Sequence, residues 1–337
     1  MSAPEAPPLW KQIGRQSLWG RRGVVKMGSL WLPLAVVVAA HPALDLAGLW
    51  ASCLLLFAAA VCRTLAVILA NDLADRAGDL AAHKDRWVLR LPPVAGGAAV
   101  VGLVAMGAAA LVLGQAPLAA IAAYLGAVAL GLAYSLRPLR FKERGLLGLI
   151  AYGLHGALAY ALVTWAWLGA GLDVLALLAA AVFLDKWVNL HFHQIIDHEA
   201  DARQGCPTFA VRVGIERART TLQWAAAIAS LAMVAVLAFV AARLGAIGLV
   251  AAGVGAVTCL AAGWHVRRAR RGKRSASALV RELPWHYLGL TYAVFRVVPL
   301  VILVGLSLRE PAMCLPTAVA AAVFAIDSGH SIRYQYR

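Results

Sequence analysis

The chain becomes acidic at Asn71-Asp72-Leu73-Ala74-Asp75-Arg76-Ala77-Gly78-Asp79, directly after an apolar run, Leu46 to Ala70, that is long enough to cross a lipid bilayer. If the helix of that run continues, Asn71, Asp75 and Asp79 are spaced i, i+4 and i+8 and share one face. Three oxygen-bearing side chains stacked at a membrane boundary repel one another unless a cation lies among them. A small set of oxygen ligands suits Mg²⁺, which usually shares its coordination shell with substrate phosphate. The stretch therefore predicts a magnesium site at the membrane surface.

The second half of the chain repeats this arrangement. The segment from His193 to Asp201 also closes an apolar run, and its Asp197 and Asp201 keep the spacing of the first pair, 122 residues further along. A single acidic cluster is commonly a solvated helix end, but two clusters with one spacing are a stronger signal. Two facing acidic clusters in an apolar protein predict a magnesium-bridged diphosphate at the mouth of an apolar cavity.

The overall composition is that of a membrane protein. Hydrophobic residues make up 62% of the 337 residues and charged residues only 14%, and the mean hydropathy is +0.76. A soluble protein of this length would need a far more polar surface, so we expect an all-α, polytopic membrane helical bundle. The polar, basic N-terminus has no apolar core that would predict a cleavable signal peptide. The five cysteines are scattered and imply neither a disulfide framework nor a metal site.

Windows of about 20 apolar residues predict nine or ten transmembrane helices, the last being the weakest. The predicted spans are Val24–Ala40, Leu46–Ala70, Val94–Leu113, Leu118–Leu136, Leu146–Ala170, Val174–His193, Leu222–Ala242, Ile247–Trp264, Tyr287–Leu306 and Ala312–Ile326. These spans divide the chain into an N-terminal arm (1–23), a transmembrane domain (24–327) and a C-terminal tail (328–337).

The net charge of +15 is distributed by membrane side. Lys and Arg concentrate in the N-terminal arm and in the loops after the second, fourth, sixth and eighth spans, whereas the opposite loops carry only Arg243 and Arg309. This is the positive-inside pattern, with membrane lipid as the partner of the basic loops, and it argues against nucleic-acid binding. We therefore expect a multi-pass protein of the cell inner membrane whose acidic clusters, and hence its active site, face the cytoplasm.

The two acidic clusters end the second and sixth spans, which run in the same direction. This placement predicts two pseudo-repeated halves of four helices each, related by an axis along the membrane normal. Such halves bring both clusters to one side of the membrane.

An allylic diphosphate needs cationic partners as well as Mg²⁺, and an apolar slot that shelters its carbocation from water. The cytoplasmic loops offer cationic clamps for the diphosphate: Lys84, Arg86, Arg140, Lys142 and Arg203. Charged residues inside the spans are costly and therefore suggestive: Arg63, Asp185, Lys186 and Arg296. Of these, Arg63 precedes Asn71 by two helical turns, and we expect it to point into the cavity as a further diphosphate-binding residue.

Three ordered motifs resemble those of the UbiA superfamily of intramembrane prenyltransferases. The family's first motif, NDxxDxxxD, is matched at every fixed position from Asn71 to Asp79. Its second motif, DxxxD followed by a Gly- and Thr-containing turn, fits residues 197–208, and its Tyr-Ser-x-x-Pro-x-(Lys/Arg)-x-Lys-x-x-Gly loop resembles residues 134–145. The basic residues 84 and 86 are also similar to those of the family. The resemblance covers roughly residues 20–307.

This resemblance implies a nine-helix bundle around a central cavity and a Mg²⁺-dependent prenyltransferase. Such an enzyme moves an isoprenoid chain from an allylic prenyl diphosphate donor to an aromatic or other lipophilic acceptor and releases diphosphate. It implies that Asn71 and Asp75 hold one Mg²⁺ and that Asp197 and Asp201 hold another. Together with the remaining motif acids, the candidate metal ligands are Asn71, Asp72, Asp75, Asp79, Asp197 and Asp201, of which Asp75, Asp197 and Asp201 are the candidate catalytic residues.

The acceptor side of the site departs from the family pattern. Gln194 stands where many members have an acid, and His193 directly before it is a candidate base, because imidazole titrates near neutrality. Tyr134 and Asn189 are, with Gln194, candidate cavity-lining residues. His191, His193 and His198 lie near Asp197, but no cysteine or glutamate at matching spacing completes a zinc tetrahedron.

Two other functions remain open at the level of sequence. A UbiA-type terpene cyclase shares the ionisation step, but it needs an aromatic lining that steadies a migrating cation. Aromatic residues are only 8% of the chain and many tryptophans lie near span ends, which favours transfer. A membrane transporter is the alternative of another class, and the confinement of the acids to span ends counts against it.

Overall fold

The structure, a computed structural model, describes the backbone of residues 28–41, 45–81, 86–271 and 281–335. The predicted N-terminal arm (1–23) and Lys84 lie outside these residues. Across the described residues the regular elements are helices, and the one β-like contact is an isolated bridge between Gly145 and Thr208.

The helices follow the apolar runs of the sequence. In chain order they are α1 Gly28–Ala40, α2 Leu46–Ala74, α3 Arg76–Ala81, α4 Pro93–Leu113, α5 Leu118–Ser135, α6 Leu146–Leu168, α7 Leu172–Ile196, α8 His198–Arg203, α9 Phe209–Val213, α10 Ile215–Arg243, α11 Gly245–Arg271, α12 Trp285–Ser307 and α13 Cys314–Gln335. Short 3₁₀ turns occupy Trp87–Arg90, Phe141–Glu143 and Pro311–Met313.

Within the described residues, 8 helices are long and apolar enough to cross a membrane: α2, α4, α5, α6, α7, α10, α11 and α12. The apolar stretches Ser29–Ala40 and Pro311–Ile326 are shorter. Large apolar side chains such as Leu113, Leu172 and Leu231 are exposed on the outer helix faces, as expected when lipid rather than water surrounds them. The protein is therefore an all-helical, multi-pass membrane bundle. The last helix continues through most of the segment that we predicted as a C-terminal tail.

The bundle forms by close packing of neighbouring helices. Helix α7 packs on α6 and α10, α2 packs on α4 and α5, and α1 contacts α6, α7 and α12. Small residues permit these approaches. A Cβ on Gly156 of α6 would lie 2.5 Å from Cγ of Lys186, so only glycine allows α6 and α7 to come this close.

Two membrane-spanning helices contain a π-helical segment. In α6 this segment is Ala157–Leu162 and in α12 it is Ala293–Val297. Such segments often occur at functional sites because the extra residue per turn redirects the side chains around it. The segment in α6 carries Tyr160, which is buried against charged residues of α2 and α7.

Candidate active site

Both acidic clusters are built at the same kind of helix end. Asp75 directly follows α2 with φ −95° and ψ 2°, and Asp197 directly follows α7 with φ −93° and ψ 1°. Each donates its backbone N–H to the carbonyl four residues earlier, at 3.0 Å. A six-residue helix then follows in each case, α3 or α8. The repeat seen in the sequence is thus a repeat of local conformation, with a break in the helix at the first aspartate of each pair.

The acids of the first motif divide into two groups with different partners. Arg86 contacts the carboxylates of both Asp72 and Asp79, with 2.9 Å between its Nη1 and Oδ2 of Asp79. Both carboxylates are buried. The expected stack of Asn71, Asp75 and Asp79 on one helix face is therefore interrupted, because Asp79 lies beyond the break and is held by Arg86.

Arg76 positions the turn that carries Arg86, a role that sequence reasoning missed. Its guanidinium donates three hydrogen bonds to backbone carbonyls of the 3₁₀ turn: to Val88 (3.1 Å), Leu89 (2.9 Å) and Leu91 (2.8 Å). No spacing rule identifies an arginine that binds carbonyls a dozen residues away, so the sequence held no signal for it.

The other two residues of the first motif face the loop after α5. Asn71 accepts a hydrogen bond at its Oδ1 from the Ser135 hydroxyl (2.9 Å). Asp75 contacts Lys142 Nζ and lies 3.4 Å from Arg140 Nη2. Two of the predicted cationic clamps therefore reach the carboxylate of Asp75, and Lys142 is buried there.

The second cluster lies near the same lysine. Burial, followed by the neighbouring Asp197 carboxylate, raises the pKa of Asp201, while Lys142 opposes this and lowers the pKa. Lys142 thus lies within electrostatic range of Asp201 while it binds Asp75. Tyr134 also lies within range of both aspartates. The two clusters, 122 residues apart in sequence, therefore converge on Lys142 and Tyr134.

A second arginine that sequence reasoning missed joins the two loops of the site. Arg212 donates from Nε to the carbonyl of Pro207 (2.9 Å) and from Nη2 to that of Glu143 (3.0 Å). Beside it, Gly145 adopts φ +57°, and a Cβ there would lie 2.7 Å from Arg212 Cδ. The bridge between Gly145 and Thr208 completes the connection. The loop with Lys142 is in this way fixed to the segment that follows Asp201.

The remaining predicted residues occupy different positions. Arg203 is exposed at the end of α8, and His193 and Asn189 are half-buried on α7. Gln194 is buried at 4% exposure, and neither its amide oxygen nor its amide nitrogen has a hydrogen-bond partner among the described residues. Arg63 is equally buried, but it contacts His155 of α6 rather than the acidic clusters.

Two tyrosines of α5 and α6 pack together near the acidic clusters. Tyr134, Tyr152 and Lys186 are half-buried between the helices. The rings of Tyr134 and Tyr152 lie 5.6 Å apart. Helix packing thus brings together two tyrosines that are separate in sequence.

Comparison with known proteins agrees with this geometry. The sequence pattern of the UbiA prenyltransferase family matches residues 29–288. The chain belongs to the UbiA prenyltransferase family. The resemblance read from the three motifs is thereby confirmed, and so is the prediction that the protein is a prenyltransferase-family enzyme. A search of curated proteins finds no significant match.

Solved structures of UbiA homologs share the fold. A homolog from Archaeoglobus fulgidus bound to DMAPP and Mg²⁺ has a TM-score of 0.55 and 19% identity, over 89% of this chain and 96% of that chain. Its complex with GPP and Mg²⁺ has a TM-score of 0.54 over the same shares. An apo homolog from Aeropyrum pernix K1 has a TM-score of 0.53 and 19% identity, over 92% of this chain and 98% of that chain. At this identity the likeness shows the fold.

The donor groups of this UbiA-family site fit magnesium. Among the described residues, no group of three or more His, Cys, Asp or Glu side chains is arranged to hold a metal ion by itself. Mg²⁺ does not require one, because it usually keeps waters and substrate phosphate oxygens beside one or two carboxylates. Burial and then the repulsion from Asp197 raise the pKa of Asp201, and a bound cation would relieve that repulsion.

Proposed function

We propose that this protein is a Mg²⁺-dependent intramembrane prenyltransferase that moves an isoprenoid chain from an allylic prenyl diphosphate to an aromatic or other lipophilic acceptor. The observation that carries the proposal is the convergence of the two acidic clusters on Lys142, which binds Asp75 and lowers the pKa of Asp201. A site with carboxylates on two sides and a cation between them suits a diphosphate that arrives with magnesium. The homologs bound to DMAPP, GPP and Mg²⁺ support the same assignment.

In this proposal Asn71, Asp75, Asp197 and Asp201 hold the magnesium ions. When bound, the metal neutralises charge on the departing diphosphate. Lys142 and Arg140 bind the same anion from the protein side once it displaces them from Asp75, and Arg203 and Lys84 add cations from neighbouring loops. Arg86 forms ion pairs with Asp72 and Asp79. We therefore assign these three residues to stabilising the junction of α2 and α3 rather than to binding the diphosphate.

The reaction breaks the bond between C1 of the donor and the diphosphate oxygen, and the electron pair leaves with diphosphate. A carbon or heteroatom of the acceptor then bonds to C1 and loses a proton. His193 lies one helical turn before Asp197 on the same face of α7, where its imidazole can receive that proton. Tyr134 and Asn189 orient the acceptor from the cavity wall, and the buried amide of Gln194 has no hydrogen-bond partner among the described residues.

Transfer is favoured over cyclisation by the position of two cations. The Arg63 guanidinium lies 4.8 Å from the centre of the Tyr160 ring and the Lys186 ammonium 5.5 Å from it. A ring that already contacts two cations gives little further stabilisation to a migrating carbocation. The two cations also repel such a carbocation. The transporter alternative has no observation in its favour.

The wider organisation belongs to the same proposal. We assign nine membrane crossings by adding α1 to the 8 long helices, arranged as two four-helix halves and a final helix around the cavity. The basic loops place the mouth of the site at the cytoplasmic face of the cell inner membrane. The backbone angles of Asp75 and Asp197, at the ends of α2 and α7, are nearly the same, which supports the division into two repeated halves.

The test gives purified protein C10, C15 and C20 prenyl diphosphates with Mg²⁺, with and without phenolic or quinone-precursor acceptors. Donor that is consumed mainly when an acceptor is present supports transfer. A cyclic hydrocarbon formed in proportion to released diphosphate, without acceptor, would instead identify a cyclase. No diphosphate release under any of these conditions would refute both enzymes.

A further inference from the structure

Arg140, in the loop after α5, lies between two carboxylates. Its Nη2 is 3.4 Å from Oδ1 of Asp75, and its Nε contacts Oε1 of Glu143, three residues further along the same loop. The Arg140 side chain keeps 22% of its exposure and each acid keeps 29%. The three groups are therefore partly shielded from water, and their contacts are stronger than those of a fully exposed ion pair.

The backbone of Arg140 has an unusual conformation that is fixed on both sides. Its φ is +37° and its ψ is 57°, in the left-handed region that residues other than glycine seldom adopt. Its N–H donates to the carbonyl of Leu136 (2.8 Å), and its own carbonyl accepts from the N–H of Glu143 (3.0 Å). Such conformations persist where the surrounding contacts determine them, and they are common at ligand-binding sites. The loop thus sets the direction in which the Arg140 side chain leaves the backbone.

Glu143 is itself held by the loop of the second acidic cluster. Its carbonyl accepts from Arg212 Nη2 (3.0 Å), and Arg212 Nε donates to the carbonyl of Pro207 (2.9 Å). Burial raises the pKa of Cys206 in that second loop, and Glu143 raises it further while Arg140 lowers it. The pair of Glu143 and Arg140 therefore lies within electrostatic range of both loops of the site.

The charges of this group balance one another. Asp75 and Glu143 are anionic, and Lys142 and Arg140 are cationic. In the proposed function, magnesium takes Asp75 and the diphosphate takes the two cations. Among the described residues, Glu143 is then the carboxylate that still contacts Arg140. This contact matters because a long arginine side chain loses conformational entropy when it is held in one geometry, and a partner must offset that loss.

We infer that Glu143 is a positioning residue for the donor, which holds the Arg140 guanidinium beside the diphosphate once Asp75 has turned to magnesium. The inference rests on the proposed function. It adds to that function a residue outside the fixed positions of the three sequence motifs. Glu143 acts through Arg140 and not through its own contact with the substrate.

The charge of Glu143 alone predicts the opposite effect. A negative charge near an anion site repels the anion, so neutralising Glu143 would strengthen diphosphate binding if nothing else changed. That repulsion is weak, because water and salt screen groups with this exposure. A guanidinium that is no longer held loses a hydrogen bond between charged groups, which is the larger effect. Glu143→Gln should therefore weaken donor binding although it makes the loop more positive.

The experiment measures binding rather than turnover. Full-length protein in lipid nanodiscs with Mg²⁺ is titrated with geranyl thiolodiphosphate, an unreactive donor analogue. We expect Glu143→Gln to bind it about tenfold more weakly than the unmodified protein, the loss expected for one hydrogen bond to a charged group. The substitution keeps the backbone carbonyl that Arg212 binds, so the connection between the loops is preserved.

A double-mutant cycle shows whether Glu143 acts through Arg140. Arg140→Gln should weaken binding, and adding Glu143→Gln to it should weaken binding no further. Glu216→Gln is the matched control, because Glu216 also pairs with an arginine three residues away, Arg219, but is 80% exposed. Its affinity should equal that of the unmodified protein. Thermal unfolding checks the fold of each variant, and Glu143→Ser replaces Glu143→Gln if the latter does not fold.

Two results would overturn the inference. One is unchanged or tighter binding of the analogue by folded Glu143→Gln or Glu143→Ser. The other is an equal loss of affinity from the Glu143 substitution whether or not Arg140 is present. Failure of the proposed function is distinguishable, because it would appear in the unmodified protein as the absence of Mg²⁺-dependent diphosphate release from a reactive prenyl diphosphate.

Discussion

Replacing Arg86 by glutamine should destabilise the protein more than it weakens donor binding. Arg86 contacts two carboxylates, Asp72 and Asp79, which are only 6% and 3% exposed. Without the guanidinium, two like charges remain buried side by side at the end of α2. The change therefore removes one ion-pair partner from both acids at once.

The magnitude follows from the burial of the three partners. Breaking a buried ion pair by removing one member costs about 3–5 kcal/mol. Because the Arg86 side chain keeps 15% of its exposure, we take the lower end, about 3 kcal/mol. For a chain of this size the unfolding midpoint should fall by on the order of 5 °C.

The assay is thermal unfolding of the detergent-purified variant beside Arg243→Gln, an exposed arginine whose loss should leave the midpoint unchanged. Adding Asp79→Asn to Arg86→Gln should restore part of the stability, because a neutral amide is less costly to bury than a carboxylate that has lost its arginine. If Arg86→Gln kept the wild-type midpoint and raised only the KM for the donor, Arg86 would be a diphosphate ligand and our assignment would be refuted.

Two further predictions concern the loops and the topology. Gly145→Ala should lower stability by about 1–2 kcal/mol and slow turnover, because φ is +57° there and the new Cβ would meet Arg212; unchanged activity and melting would show that the loop tolerates the shift. In a background without the five natural cysteines, a membrane-impermeant reagent applied to intact cells should label a cysteine at Gly171 and miss one at Ala82, and the opposite pattern would reverse the proposed orientation.

The sequence predicted those features that depend on local pattern. Apolar runs of bilayer length predicted the helices, because a membrane leaves the chain few other conformations. The repeated aspartate spacing predicted two equivalent helix ends, and Asp75 and Asp197 indeed share nearly the same φ and ψ. The shorter apolar lengths of Ser29–Ala40 and Pro311–Ile326 explain why 8 long helices are found in the described part of the chain, where nine or ten were expected.

The partners of individual side chains could not be predicted in this way. Arg86 was grouped with the diphosphate clamps, but the break after α2 turns Asp79 toward it. Arg63 was placed two turns from Asn71 and inside the bundle, yet only the packing of α2 against α6 reveals His155 and Tyr160 as its neighbours. Such contacts depend on how each helix is rotated about its axis relative to its neighbours. The spacing of apolar residues within one helix does not determine that rotation.

The central claim is that the carboxylates of both clusters hold magnesium around one diphosphate. Its most direct test compares Mg²⁺-dependent diphosphate release by Asp75→Asn and Asp201→Asn with that of Asp173→Asn, a matched change at an exposed carboxylate near the start of α7. We expect each cluster variant to fold and to lose about 10²-fold or more of the rate, because diphosphate charge is left uncompensated, while Asp173→Asn keeps it. A folded Asp75→Asn or Asp201→Asn enzyme with near wild-type, Mg²⁺-dependent release would contradict the claim.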